Sequence, residues 1–279
     1  MKILLTGRNG QVGWELERAL PALGEVIATD RSTLNLSDPD AIRKLIREVK
    51  PSVIVNAAAY TAVDKAESEP ELAMQVNGIA PGILAEEAKR LGALLVHYST
   101  DYVFDGRKRT PYVEEDPPNP LSVYGRSKLA GETAVREAGE GHLVLRLSWV
   151  YAPRGRNFLL TILKKAAAGE RLRIVNDQTG VPTSAEFAAS STVSLIKRDA
   201  TGLLHLVPGG SATWFDFACE ALELAGHPAT PEPIISREWP TAATRPTYSV
   251  LSNARAAGAL GDPLPDWRSL LRRAVDSLH

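Results

Sequence analysis

The sequence predicts an α/β protein built on a doubly wound parallel sheet, with a smaller C-terminal lobe. Three observations indicate this fold. Short apolar runs without polar alternation recur through the first half of the 279-residue chain. Amphipathic stretches of helical length separate these runs, as expected when helices cover both faces of a parallel sheet. The second half is less regular and richer in proline, which predicts more loop there.

The predicted elements alternate in order along the first half. The strands are residues 2–6, 25–29, 53–56, 94–99 and 143–149, and the helices are residues 12–20, 39–49, 71–77, 80–91 and 123–138. In the second half, residues 157–168, 184–197 and 214–225 are predicted helices, residues 203–207 a strand, and a short helix follows Pro265. Parallel sheets bind ligands beyond the carboxyl ends of their strands, so function is expected just after residues 6, 29, 56, 99 and 149.

Composition excludes several classes of partner. The chain has 32 basic and 33 acidic residues and a net charge of -1, without the basic excess of a nucleic-acid-binding protein. One cysteine, Cys219, excludes an internal disulfide and fits a reducing cytoplasm. No apolar run approaches transmembrane length. We therefore expect a cytoplasmic location, no nucleic-acid partner and no membrane partner.

A glycine-rich turn directly after the first strand predicts a dinucleotide site. Gly7, Gly10 and Gly13 would let the backbone approach a pyrophosphate, which the start of the next helix would attract. Asp30 ends the second strand, where a carboxylate can accept hydrogen bonds from the adenosine ribose of NAD. Arg31 beside it suits the 2′-phosphate of NADP. The fold is therefore of Rossmann type, and the choice between NADH and NADPH stays open.

A phenol, an ammonium and a hydroxyl predict carbonyl reduction. Tyr124 and Lys128 are four residues apart, so a helix would place both on one face. A nearby ammonium lowers the pKa of a phenol, which suits a proton donor to a carbonyl that accepts hydride. The fourth strand ends at Ser99 and Thr100, where a hydroxyl can bond the carbonyl oxygen. Strand alternation allows only one of these two hydroxyls to point there.

Seven sequence blocks carry a resemblance to a known family. They are Leu4–Leu16 (LLTGRNGQVGWEL), Val55–Pro70 (VNAAAYTAVDKAESEP), His97–Gly106 (HYSTDYVFDG), Val123–Glu132 (VYGRSKLAGE), Ser148–Ala152 (SWVYA), Asn176–Glu186 (NDQTGVPTSAE) and Leu264–Trp267 (LPDW). With these blocks the chain resembles the extended short-chain dehydrogenase/reductase family. Within that family it is most similar to the reductases of dTDP-linked keto sugars, and the resemblance runs essentially from end to end.

The resemblance implies a role for individual residues. Thr100, Tyr124 and Lys128 match catalytic positions, with Tyr124 as the proton donor and Lys128 also at the nicotinamide ribose. The cofactor would be NADPH or NADH, and the residues implied to contact it, besides Gly7, Gly13 and Arg31 above, are Gly10, Gln11, Val12, Asp30, Asn35, Leu36, Ala59, Tyr60 and Thr61. Tyr60 stands where some relatives carry His, and Asn35 where some carry Asp; either change could adjust cofactor preference.

The implied substrate is a dTDP-sugar, bound at Thr100, Asp101 and Trp149. Without the resemblance, Trp149 is equally well a core aromatic. Arg245 is a candidate for the substrate pyrophosphate because its guanidinium matches phosphate oxygens. A solvated loop arginine is the alternative for that residue. The expected division is a dinucleotide-binding domain at residues 1–150, completed by about 176–207, and a substrate-binding lobe at 151–175 and 208–279.

Some family members form a homodimer bridged by Mg²⁺ through glutamates. Glu15 and Glu186 match two of those positions. Magnesium commonly takes one or two protein carboxylates and keeps several waters, so such a site is compatible with two glutamates. Two surface glutamates on the first turns of their helices are the alternative.

Two rival functions are compatible with this fold. A nucleotide-sugar epimerase or dehydratase could use the same fold, but Asp101 is followed by Tyr102, so the second carboxylate of the dehydratases is missing. A non-catalytic subunit that binds a partner or senses a nucleotide is the other rival. The intact set of Thr100, Tyr124 and Lys128 favours an enzyme.

Overall fold

The computed structural model describes residues 1–278. Its strands are β1 (Lys2–Thr6), β2 (Glu25–Thr29), β3 (Val53–Asn56), β4 (Leu94–Thr100), β5 (His142–Leu147), β6 (Val150–Tyr151), β7 (Arg173–Val175), β8 (Thr179–Gly180), β9 (Thr183–Ser184), β10 (Gly202–His205), β11 (Ala212–Thr213) and β12 (Glu232–Ile234). Its α-helices are α1 (Gln11–Ala19), α2 (Pro39–Val49), α3 (Val63–Ala66), α4 (Pro70–Met74), α5 (Ala80–Leu91), α6 (Val123–Glu137), α7 (Phe158–Ala167), α8 (Ala185–Lys197), α9 (Trp214–Leu224), α10 (Ala254–Leu260) and α11 (Trp267–Asp276).

Six parallel strands form the central sheet. Their order is β2-β1-β3-β4-β5-β10. Helices α1, α8 and α10 pack on one face through an apolar cluster that includes Leu16, Phe187 and Leu260. Helices α2, α5 and α6 pack on the other face through Ile42, Ile83, Val135 and their neighbours. The predicted α/β, Rossmann-type, doubly wound fold is thus confirmed.

Beyond the central sheet, much of the second half builds separate apolar clusters. Helices α7, α9 and α11 pack around the fully buried Trp267, together with Phe217 and Leu271. A second cluster joins α7 and α9 to β7, which pairs with β12 in a two-stranded parallel sheet. Among residues 1–278, no helix is both long and apolar enough to span a bilayer.

The predicted elements differ from the structure mainly at their ends. The helices predicted at 71–77 and 80–91 are joined by a π-helical segment, Gln75–Ile79, which carries the buried Asn77. The Asn77 side-chain amide accepts from the backbone N–H of Tyr60 and donates to its C=O. The π-helical turn directs the Asn77 side chain toward Tyr60. The fifth strand ends at Leu147 rather than at residue 149, because Trp149 adopts a left-handed φ of 45°.

The strands of the second half were largely missed. The prolines of the second half predict mostly loop, yet Glu232–Ile234, which includes Pro233, pairs with Arg173–Val175. The strands β6, β8, β9 and β11 have two residues each, too few for any periodicity to register.

Candidate active site

The glycine turn lies between β1 and α1 and leaves no room for side chains. Gly7 has φ 77°, and a Cβ there would lie 2.7 Å from the backbone nitrogen of Ala58. A Cβ at Gly13 would lie 2.0 Å from the Gly7 carbonyl oxygen. Gly10 is the N-cap of α1, whose first turn holds no acidic residue. The exposed backbone and the positive end of the helix dipole therefore fit a pyrophosphate.

A cavity of about 280 Å³ opens beside this turn. It brings together most of the residues predicted to contact the cofactor, namely Gly7, Gly10, Asp30, Arg31, Asn35, Leu36, Ala59 and Tyr60. Lys128 and four others do not line it. Gly13 packs under the turn, Val12 packs against the core and Thr61 is exposed. Gln11 instead accepts a hydrogen bond from Asn157 at the start of α7.

The Asp30 carboxylate is held by its own loop. One oxygen accepts hydrogen bonds from the backbone and hydroxyl of Ser32 at 2.9 and 2.6 Å, and the other accepts from Asn9 at 3.0 Å. These bonds, the Ser32 hydroxyl first, lower the pKa of Asp30 to about 2. Arg31 is exposed next to it at the edge of the cavity. The structure therefore places an ionised acceptor and a cation side by side where the adenosine ribose is expected.

Lys128 is buried on α6 and reaches the end of β4. Its Nζ donates to the Tyr98 carbonyl oxygen at 2.6 Å and lies 3.5 Å from His97 Nε2. Only 2% of its surface is exposed. Burial lowers the pKa of Lys128 to about 8, against the opposing effect of Glu132. From His97, a buried polar chain runs through Asn56 and Thr6 to the backbone of Ala58 in the cofactor cavity.

Tyr124 lies one turn before Lys128, at the start of α6. Ser122 caps that helix by accepting the Gly125 N–H at 3.1 Å. A Cβ at Gly125 would lie 2.3 Å from the Tyr102 carbonyl oxygen, so this glycine lets the helix start pack against the turn after β4. The Tyr124 and Tyr102 rings meet edge to face at 5.8 Å.

The predicted lowering of the Tyr124 pKa by Lys128 is not what this arrangement produces. Burial raises the pKa of Tyr124 to about 12; hydrogen bonding with Thr100 opposes the rise, and the charge of Asp101 adds to it. Lys128 is instead engaged with the Tyr98 carbonyl. The phenol is therefore held in its protonated form.

Thr100, rather than Ser99, is the hydroxyl beside Tyr124. The Thr100 hydroxyl donates to Asp101 Oδ1 at 3.1 Å and accepts the Tyr102 N–H at 3.2 Å. Ser99 Oγ is buried, with no hydrogen-bond partner among the described residues. Asp101 is only 2% exposed, and hydroxyl groups bond both of its oxygens.

A larger cavity of about 630 Å³ lies in the second half of the chain. Arg245 lines it and forms two hydrogen bonds to Asp64, at 2.7 and 3.0 Å. Its side chain is 20% exposed, so a solvated loop arginine is the wrong description. Arg245 also lies beside Tyr102, whose charge raises the pKa of the guanidinium and whose ring packs against Tyr124. The large cavity is thus linked to the proton donor.

An aromatic stack at this cavity includes a residue that sequence reasoning missed. Trp149 stacks on Trp214 with ring centroids 3.6 Å apart, and Trp214 lines the cavity. Gly180 packs against the Trp149 ring, where a Cβ would lie 2.5 Å from it. Trp214 Nε1 donates to Gln178, another residue of the lining. Nothing local marked Trp214 in the sequence, because it is simply the first residue of an amphipathic helix.

The two glutamates matched to a metal site face each other. The charge of Glu186 raises the pKa of Glu15, although burial is the larger cause. Glu15 is half-buried in the second turn of α1, and Glu186 is exposed in the first turn of α8. Within residues 1–278, no group of three or more His, Cys, Asp or Glu side chains could hold a metal ion. This chain therefore offers at most a pair of carboxylates at that place.

Comparisons with known proteins agree along the whole chain. The family model described as the RmlD substrate binding domain matches residues 1–279. A dTDP-4-dehydrorhamnose reductase of Burkholderia thailandensis is 46% identical and covers 100% of this chain and 99% of its own. A crystal structure of a dTDP-4-dehydrorhamnose reductase from Clostridium acetobutylicum has a TM-score of 0.96 at 38% identity, covering 100% and 99%. The Bacillus anthracis counterpart, solved in complex with NADP, has a TM-score of 0.95 at 33% identity, covering 99% of both chains.

Proposed function

The chain belongs to the RmlD substrate binding domain family, and from this premise we propose that it is an NAD(P)H-dependent oxidoreductase. It reduces the C4 keto group of dTDP-4-dehydro-L-rhamnose to give dTDP-L-rhamnose, the last step in the synthesis of that sugar nucleotide. Two relatives matched over the full length of this chain are named for that reduction.

One observation carries this proposal. Tyr124 and Lys128, on one face of α6, both reach the end of β4: Lys128 bonds the Tyr98 carbonyl and Tyr124 lies beside Thr100. A polar chain links Lys128 to the cavity at the glycine turn, and Tyr102 with Arg245 links Tyr124 to the larger cavity. A proton donor thus lies next to both the site expected for a dinucleotide and the site expected for a nucleotide sugar.

The residues of this chain supply the proton and hold its donor in place. Bound reduced nicotinamide supplies the hydride. Tyr124, with its pKa raised to about 12, is protonated at neutral pH and donates its proton to the C4 oxygen. Lys128, whose pKa burial lowers to about 8, is mostly charged at pH 7 and places that charge one helical turn from Tyr124. Thr100 places a hydroxyl beside Tyr124, where the C4 oxygen meets its proton donor.

The cofactor is held at the glycine turn in this proposal. The backbone of Gly7, Gly10 and Gln11 meets the pyrophosphate at the start of α1. Asp30 accepts from the ribose hydroxyls, and Arg31 meets the 2′-phosphate when NADPH is the donor. The residues that surround the adenosine half are Asn35, Leu36, Ala59, Tyr60 and, at the rim, Thr61.

The larger cavity holds the dTDP portion of the substrate. Arg245 donates hydrogen bonds to the pyrophosphate of the substrate. To do so it exchanges its bonds to Asp64 for bonds to phosphate oxygens, or bonds both groups at once. Trp214 and Trp149 form the aromatic wall beside it. We assign residues 1–150, with about 176–207, to dinucleotide binding, and 151–175 with 208–279 to substrate binding. The position of β10 in the central sheet supports that assignment, and so does the cavity lining drawn from the second lobe.

The proposal extends to a cytoplasmic homodimer. Glu15 and Glu186 lie close enough for their charges to interact, which supports a shared Mg²⁺ between copies of the chain. Light scattering in Mg²⁺ and then in chelator tests this arrangement. A dimer that dissociates on chelation, but persists in Mg²⁺, is expected; a mass insensitive to both Mg²⁺ and Glu186→Gln contradicts the metal bridge.

The decisive experiment measures loss of reduced-nicotinamide absorbance with enzymatically made dTDP-4-dehydro-L-rhamnose. NADH and NADPH are used in separate reactions, and dTDP-glucose is the control sugar without the keto group. Turnover dependent on the keto sugar is expected. If cofactor binds and no turnover follows, the protein is either the non-catalytic subunit described above or a reductase of another keto sugar. Cofactor that copurifies and is returned oxidised in each cycle favours an epimerase instead.

A further inference from the structure

A carboxylate from a distant segment caps the helix that holds Tyr124. The segment joins β3 to α4, and it begins at Ala59 and Tyr60, which line the cofactor cavity. Glu67 follows α3 in this segment and is half-buried. Its Oε1 accepts the backbone N–H of Val123 at 2.8 Å. Because Val123 is the first residue of α6, the segment holds that helix directly beside the proton donor.

Tyr124 lies between two capped residues. The first N–H groups of a helix have no partner within the helix. In α6 the first three belong to Val123, Tyr124 and Gly125. The Gly125 N–H goes to Ser122 Oγ at 3.1 Å, and the Val123 N–H goes to Glu67. The residues on either side of the proton donor are therefore each held by a side-chain oxygen.

The two caps hold the helix start in different ways. Ser122 directly precedes α6, so its cap moves with the helix. Glu67 lies 56 residues before Val123, so its bond ties the helix start to a different element. A carboxylate at this place also interacts favourably with the positive end of the helix dipole. Loss of the Glu67 carboxylate would therefore release the end of α6 that carries the phenol.

The segment that carries Glu67 is itself anchored at both cavities. Asp64, on α3, accepts from Arg245 of the larger cavity at 2.7 and 3.0 Å. Glu69, at the end of the segment, accepts from the hydroxyl of Tyr60 at 2.7 Å. Tyr60 belongs to the lining of the cofactor cavity. Glu67 thus holds α6 from a support that both ligand sites share.

The place of the phenol matters because proton transfer requires a hydrogen bond of about 2.6–3.2 Å. A displacement of about 1 Å that originates outside the site can cost about 10²-fold in rate. Tyr124 is the second residue of α6, so a shift of the first helical turn carries its ring along. That ring packs edge to face on Tyr102, with the centroids 5.8 Å apart. The contact between the two rings provides a measure of where the phenol lies.

We propose that Glu67 is a positioning residue for the proton donor: it caps the first turn of α6 from the segment between the two cavities, and it thereby fixes the place of the Tyr124 phenol. It acts through the backbone of Val123 and not by contact with the sugar or the cofactor. Its effect on turnover rests on the reduction proposed above. The place of the phenol can be measured without turnover.

The kinetic test compares Glu67→Ala with Glu67→Gln. Alanine removes the acceptor, so kcat should fall by about 10- to 100-fold, while KM for the sugar and for the cofactor stays nearly unchanged. Glutamine keeps a side-chain oxygen that can accept from Val123, so it should restore most of kcat. A loss in Glu67→Gln as large as that in Glu67→Ala overturns the proposal, because the bond to Val123 would then not be what matters.

Asp266→Ala is the matched control for the loss of a helix cap. Asp266 caps α11 by accepting the Arg268 N–H at 2.9 Å, and it lies outside both cavities. Both alanine variants lose a cap, so both should lower the melting temperature. Only Glu67→Ala should lower kcat. An equal loss of kcat in the two variants would make Glu67 a merely structural cap and would overturn the proposal.

Nuclear magnetic resonance of the substrate-free protein separates this proposal from the proposed function. The ring-proton shifts of Tyr124, assigned with Tyr124→Phe, depend on its placement against Tyr102. They should move in Glu67→Ala, return in Glu67→Gln and stay unchanged in Asp266→Ala, and the Val123 amide should exchange faster with solvent in Glu67→Ala alone. These results without turnover would reject the reductase and retain Glu67 as the residue that places Tyr124. Tyr124 signals that do not move in Glu67→Ala overturn the proposal.

Discussion

Tyr124 is the residue on which the chemistry depends most directly. Tyr124→Phe removes the proton donor and leaves the ring, so kcat should fall by about 10²–10⁴-fold. The reduced cofactor should still bind, because the glycine turn and Asp30 hold it in this proposal and neither depends on the phenol. Turnover and NADPH fluorescence titration measure the two effects. Tyr248→Phe, outside both cavities, is the control, and near-normal turnover in Tyr124→Phe would remove Tyr124 as the acid.

Arg31 should select between the two cofactors. Asp30 is ionised and held by Ser32 and Asn9, so it serves the ribose of NADH without help from its neighbour. The Arg31 guanidinium is exposed at the cavity edge and suits the extra phosphate of NADPH. Arg31→Ala should therefore raise KM for NADPH by roughly tenfold, about the factor of one charge-assisted hydrogen bond, and barely change KM for NADH.

The comparison of KM for NADPH and NADH in Arg31→Ala needs a charge-matched control variant and several salt concentrations. Arg43→Ala, on α2, removes the same charge elsewhere. The Arg31 effect should shrink as salt rises, since exposed charges are screened. Equal losses for both cofactors in Arg31→Ala would show that this residue does not discriminate between them.

At the scale of elements, the β1–α1 unit is the most sensitive to substitution. Gly13→Ala would bring a Cβ to 2.0 Å from the Gly7 carbonyl, so the helix must move away from the strand. We expect weak cofactor binding and a melting temperature lowered by several degrees, from about 1–3 kcal/mol of overpacking. Differential scanning calorimetry and cofactor titration measure these losses.

Helix α10 offers the matched control for that glycine. A Cβ at Gly258 would meet nothing within 4 Å. Gly258→Ala should leave activity unchanged and raise stability by up to about 1 kcal/mol, the helix propensity gain of alanine over glycine. If Gly13→Ala were tolerated as well as Gly258→Ala, close packing in the turn would not be what requires glycine there.

At the scale of the whole molecule, two buried histidines make the fold sensitive to acid. Burial lowers the pKa of His205 to about 3 and that of His97 well below its usual value. In the unfolded chain both take up protons below about pH 6.5, while the folded chain keeps them neutral. The stability they contribute is therefore present above pH 6.5 and is lost as the pH falls.

The expected loss can be measured by urea unfolding. Between pH 7.5 and pH 5.5, each histidine lowers the free energy of unfolding by about 1.4 kcal/mol. The raised pKa of Asp101 acts in the opposite sense and increases the free energy of unfolding by somewhat less than about 1 kcal/mol over the same range. The free energy of unfolding should therefore drop by about 2 kcal/mol. His205→Gln should show roughly a third of that pH dependence, at reduced overall stability. A free energy independent of pH over this range contradicts the argument.

Much of the sheet and the family followed from the sequence by itself. The apolar runs at residues 2–6, 25–29 and 53–56 are local patterns, and each is a strand with those bounds. The glycine turn is likewise local, because its spacing and its place after a strand are both visible in the chain. The resemblance is confirmed by a family match over the full length.

Tertiary structure alone decided how the side chains of the site act. Lys128 was expected to lower the Tyr124 pKa from their spacing, but burial and the Tyr98 carbonyl reverse that expectation. Asp101 meets Ser249 across 148 residues, and Trp149, between β5 and β6, stacks on Trp214 at the start of α9. Local patterns follow from backbone geometry and hydrophobic periodicity. Burial, charge and hydrogen-bond direction arise only when distant segments come together and exclude water.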